Sequence, residues 1–141
     1  MIWTISLHIF ATFFMTGLIW FVQLVHYPLF ADVPDSHRPL YTKKHGVKTA
    51  WIVLPMMSLE LITGIFLYFK HPTTLIWALG ALLLLAIWGL TLKQFAPLHA
   101  KLAQTGDPRY VQHLVRYNWL RTLFWSARSL LVLSWLVGHI P

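Results

Sequence analysis

Cysteine is absent from the 141 residues, which excludes disulfides, thiolate metal ligands and a thiol nucleophile. Acids are nearly absent too: Asp32, Asp35, Glu60 and Asp107 stand against eleven lysines and arginines. At 11% of the chain, charged residues are too few for a soluble domain of this size. No Gly-x-Ser-x-Gly turn occurs, which argues against a serine hydrolase, and no His-Glu-x-x-His pair marks a zinc helix. Internal repeats, low-complexity tracts and linkers are also missing.

Apolar sequence is what remains, at 57% of the residues. Four runs, at about 2–25, 47–69, 75–95 and 117–137, are each long enough to cross a bilayer. They predict an all-α integral membrane protein, one four-helix transmembrane bundle spanning residues 1–141. The first run lacks a basic leader and a small-residue cleavage site, so it is expected to be a retained span rather than a signal peptide. The net charge of +7 suits an anionic membrane face rather than nucleic acid. Arg38, Lys43, Lys44 and Lys48 follow the first span, and Lys93, Lys101, Arg109 and Arg116 surround the third link, whereas the second link offers only Lys70. This asymmetry predicts cytoplasmic basic loops, with both termini outside a bacterial inner membrane.

Local signals refine the helices. Asp35 or Ser36 is a candidate cap for a helix entered through Pro39, which would place His45 near the cytoplasmic mouth. Pro55 should kink the second span or free a carbonyl there. The third span holds Gly80 and Gly89 but no charge before Lys93, so the polar interior is expected from spans one, two and four. Gly106 suits a helix stop and Asp107-Pro108 a helix start, giving a hairpin that projects into the cytoplasm. Trp20 and Tyr27 read as an interfacial aromatic belt.

Few polar side chains lie within the spans. Asn118, Arg121, Trp125 and Arg128 recur at intervals of three, four and three, which puts them on one helical face. A cation at bilayer depth costs roughly 2.5–3.5 kcal/mol on the gentlest scale, so it either faces a partner or wet cavity, or snorkels and braces packing. Glu60 is the one acid inside a span. Counted from the cytoplasmic side it lies roughly 20 Å deep and Arg128 roughly 16 Å, which predicts a contact, structural or functional. The expected deep layer is therefore Glu60 and Arg128, with His8 toward the outside. The cytoplasmic-side layer is Gln23, His26, His45, Asn118 and Arg121.

Three chemistries fit these layers. Imidazole could ligate haem or a metal through His8 or His26, which lie roughly 27 Å apart on one helix and cannot share an ion. Arg121 and Arg128, with Asn118, could hold a carboxylate or phosphate whose tail lies among aromatic walls. A buried Glu60 beside Arg and His could relay protons. His37, His71, His99, His113 and His139 read as loop or interface residues.

The segments Thr16–Phe30 and Asn118–Arg128 resemble a family of small four-span bacterial membrane proteins of unsettled function. Leu7–Ile9, Gly17–Leu24 and Pro55 are similar to the first two helices of the small four-span, haem-containing protoporphyrinogen oxidases. That resemblance implies haem on His8; the family's third-helix lysine has no counterpart in Ile76–Gly80. Asn118–Arg128 is similar instead to the small anthrone-oxygenase-like membrane proteins. Together these resemblances imply redox chemistry on a flat hydrophobic molecule. The expectation is thus an oxidoreductase-like membrane protein, with His26 and Glu60 as candidate catalytic groups. Gln23, His45, Asn118, Arg121, Trp125 and Arg128 are candidate ligand contacts. The alternative is a non-enzymatic lipid- or quinone-binding, transport or assembly protein. Haem b and a metal ion are the candidate cofactors. Membrane lipids, a hydrophobic small molecule and a second copy of the chain are the candidate partners.

Overall fold

The structure, a computed structural model, describes residues 1–71 and 75–138. It is helical throughout its regular elements: α1 (Ile2–Asp32), α2 (Arg38–Lys70), α3 (Leu75–Thr105) and α4 (Pro108–Val137). Each is long and apolar enough to cross a membrane. All four outrun the hydropathy-based spans, each continuing as helix beyond its apolar run. Sequential helices pack side by side and α4 closes on α1. On α1 and α2, His8 faces Thr63, Thr12 faces Glu60 and His26 faces His45, so these helices run antiparallel.

Two helices carry a π-helical turn, and each turn has a sequence cause. Val22–His26 in α1 ends two residues before Pro28, and Thr91–Phe95 in α3 ends two residues before Pro97. Proline lacks the amide proton and its ring crowds the carbonyl four residues back, here Leu24 and Lys93. Both carbonyls fall inside the widened turn, which relieves the clash without ending the helix. Pro55, by contrast, lies in an uninterrupted α2.

The loops set the register. His37, not Asp35 or Ser36, occupies the cap position of α2, and no side chain caps that end. Asp35 is instead drawn to Arg38, at 2.7 Å. Arg38 also donates to the Gly106 carbonyl at 2.6 Å and to Val33 at 2.7 Å. This clamp holds the α1–α2 and α3–α4 connections, the two basic loops, at the same end of the bundle. Gly106 takes φ 68°, a left-handed stop that suits glycine, and Asp107 then caps α4 by accepting from the Arg109 amide. The Arg109 side chain donates to both Asp107 oxygens and holds that carboxyl below its usual range.

The surface is apolar and much of the interior is polar. Trp3, Phe10, Trp51, Phe69, Leu82 and Leu130 all point outward. Inside, Met15, Ile19, Met57, Ile87 and Trp125 form a mid-bundle core. A second cluster at the clamped end includes Tyr27, Phe30, Phe95 and Leu102.

Candidate functional site

The predicted face of α4 points inward as a unit: Asn118, Arg121, Trp125 and Arg128 are all buried. Arg121 and Arg128, seven residues apart, belong to different neighbourhoods.

Arg128 belongs to a closed network around Glu60. Its Nε and Nη2 both lie 3.0 Å from Glu60 Oε1, which also accepts from Thr12 at 2.9 Å. Trp125 Nε1 donates to the other oxygen, Oε2, at 3.0 Å. Arg128 Nη1 donates to the Gly80 carbonyl, so α3 contributes to the polar interior after all, through its backbone. His8 completes the network. The Thr63 hydroxyl donates to the Leu59 carbonyl at 2.7 Å, so it must accept from His8 Nδ1 at 2.9 Å. The other nitrogen, Nε2, then faces Arg128 Nη2 at 3.4 Å as an acceptor. Glu60 and Arg128 are 0% and 2% exposed. Each charge is paired and its remaining capacity is largely filled, the condition under which a buried ion pair is tolerated.

This arrangement does not suit haem on His8. Both ring nitrogens are engaged, and Trp77 packs edge-on at 5.9 Å. Nor, among the described residues, does any group of three or more His, Cys, Asp or Glu have an arrangement that could hold a metal ion.

Between this network and the clamped end lies a polar crosslink. Asn118 Nδ2 donates to Gln23 Oε1 at 3.0 Å, and Gln23 Nε2 donates to the Val115 carbonyl at 3.2 Å. These residues stitch α1 to α4.

The third group surrounds an open cavity of about 230 Å³. Its walls are aliphatic, from Met15 and Ile19 on α1 and Val53 on α2, and its polar end is formed by His45, His99, Tyr27 and Arg121. Both π-helical turns contribute to the lining, through Val22, Thr91 and Phe95. Gly46 and Ala50 on α2 and Ala96 on α3 have little side chain to close the wall. His26 stacks on His45 with ring centroids 4.3 Å apart, and His99 lies 5.7 Å from His45. The Tyr27 hydroxyl and His99 Nε2 are 3.0 Å apart. Arg121 rests over Phe95 at 4.4 Å and Trp125 at 5.3 Å, with the Tyr27 hydroxyl in interaction range.

Of the anticipated residues, His45 and Arg121 line this cavity and His26 backs onto it. Gln23, Glu60, Asn118, Trp125 and Arg128 do not line it. Two lining residues were not anticipated. His99 reads as a loop or interface residue because it lies beyond the third apolar run, on the helical extension; α3 carries it to the cavity instead. Tyr27 read as an interfacial aromatic but is buried. The detectable signal was Pro97, whose widened turn re-aims the residues around it. His139 lies outside the described residues.

The chain matches no family model, no curated protein and no solved structure.

Proposed function

We propose that this is a multi-pass protein of the bacterial inner membrane, both termini outside, that binds a flat hydrophobic molecule in the Arg121 cavity. The membrane placement is supported by four long apolar helices, an outward-facing apolar surface and a polar interior. The orientation is supported by the Arg38 clamp, which gathers both basic loops at one end, where the positive-inside rule puts the cytoplasm.

The observation that carries the binding reading is the cavity itself: aliphatic walls closed at one end by a few convergent polar groups. Two π-helical turns beside it add support, since such turns recur at functional sites. The test is organic extraction of the purified protein followed by mass spectrometry. One hydrophobic compound at near one per chain is expected; an extract holding only bulk lipid contradicts the reading.

A stronger version, an oxidoreductase-like role, is favoured by the row of titratable rings along the polar end, His26, His45, His99 and Tyr27. Redox change in a flat conjugated molecule is coupled to proton exchange, and these groups are placed to supply or accept protons. A redox-inert extracted compound would favour the non-enzymatic role in lipid binding, transport or assembly.

A further inference from the structure

We infer that the cavity's ligand is a monoanion, an aromatic or polyene carboxylic acid docked through its carboxylate on Arg121. The inference rests on the binding reading above and adds the charge and chemical class of the ligand. Its basis is a count of charges. The chain has four acids. Three are taken, Asp35 by Arg38, Asp107 by Arg109 and Glu60 by Arg128. The fourth, Asp32, is exposed at the end of α1 and makes no ion pair among the described residues. Arg121 is only 6% exposed and, among the described residues, has no acid within ion-pair distance and no hydrogen-bond partner for its Nε.

The two rings beneath Arg121 offset part of the cost of burying it, but they are neutral and fill only its face. The guanidinium edge is a planar fork of donors, the shape that a carboxylate fills with paired hydrogen bonds. One uncompensated cation calls for one negative charge, which favours a carboxylate over a phosphate dianion. A cavity of about 230 Å³ has room for a small ring system. Tyr27 and His99 stand beside the same end and supply further hydrogen-bonding groups, His99 through a buried Nδ1 with no partner among the described residues.

The test is calorimetric titration of the full chain, in zwitterionic-lipid nanodiscs, with 2-naphthoate and its neutral counterpart 2-naphthylmethanol. Empty nanodiscs provide the background. A charge-assisted carboxylate contact should make naphthoate bind at least about tenfold more tightly, and Arg121→Gln should erase that preference. Equal binding of the two probes to wild type, or a preference that survives Arg121→Gln, overturns the inference and leaves the binding reading standing. Binding of neither probe by protein first stripped of any co-purified compound overturns both. If Arg121→Gln does not fold, wild type decides alone. Infrared spectra of bound naphthoate labelled with ¹³C at the carboxyl should show the carboxylate stretch, and a carboxylic-acid band instead would overturn the inference.

Discussion

Arg121 and Arg128 stand on one face of α4, seven residues apart, yet among the described residues only Arg128 meets a carboxylate. Glu60 lies 3.0 Å from Arg128, while Arg121 faces a cavity over two aromatic rings. The same residue type on the same helical face thus serves a closed, internally neutral network in one turn. Two turns away it serves an open site with a net positive charge. Burial makes the difference consequential, because a charge out of water needs a partner and, of the two, only Arg128 has an anionic one among the described residues.

The Glu60–Arg128 pair should be strongly coupled. Glu60→Gln or Arg128→Gln leaves an uncompensated buried charge and should destabilise the fold by roughly 3–5 kcal/mol. The double variant should cost less than the sum of the singles, measured by unfolding in mixed detergent. Additive costs would show that the two charges act independently. If the double variant still folds, its ligand binding separates a register device from a functional pair: retained binding points to register, lost binding to function.

Two glycines near this network should respond unequally to alanine. Alanine is worth about 1 kcal/mol more than glycine inside a helix. A Cβ at Gly80 meets only Arg128 Nη1 at 3.7 Å, an ordinary contact, so Gly80→Ala should be neutral or stabilising. A Cβ at Gly64 would approach His8 Cε1 to 3.1 Å, against a ring held at both nitrogens. Gly64→Ala should therefore fall short of Gly80→Ala by roughly 1–2 kcal/mol in the same unfolding assay. Equal effects would mean that His8 is free to move.

Topology is read by reporter fusions. Fusions at Lys43 and Gly106 should report cytoplasm and one at the C-terminal Pro141 should report the outside. A cytoplasmic C-terminus would invert the orientation.

The occupied nitrogens of His8 also make a spectroscopic prediction. Purified protein supplemented with haem should gain no Soret band that disappears in His8→Ala. A His8-dependent band would mean that the Thr63 and Arg128 contacts give way to iron. His26→Ala distinguishes the other imidazole, which lies too far along α1 to share that iron.

Much of the fold was legible because hydropathy and charge report directly on long apolar helices. Asn118, Arg121, Trp125 and Arg128 advertised an inward face through helical spacing alone. Matched depth brought Glu60 to Arg128 because α2 and α4 run the same way from the clamped end, so residue count converts into height on both. The cavity was less legible. Its polar end draws on α3, whose apolar span carries no charged side chain before Lys93, and the residue that matters, His99, lies beyond the expected bilayer boundary. The widened turn before Pro97 also breaks the 3.6-residue period, so counting from the apolar face of α3 does not carry through to His99. The contribution of Gly80 is a carbonyl, which side-chain identity cannot announce. Tyr27 was misjudged because aromatic residues near a span end are commonly interfacial, and only packing against Phe30 and His99 shows it enclosed.

The central claim is that a small molecule occupies the Arg121 cavity, and filling that cavity tests it most directly. Gly46 lines the cavity, and a Cβ there meets nothing within 4 Å, so Gly46→Phe should enter free space and favour the α2 helix. Native mass spectrometry of wild type and Gly46→Phe, purified in parallel and matched for thermal stability, is the measurement. The account predicts one small-molecule adduct per wild-type chain and none on Gly46→Phe. An adduct that persists in the filled variant, or that is absent from both proteins, would contradict it.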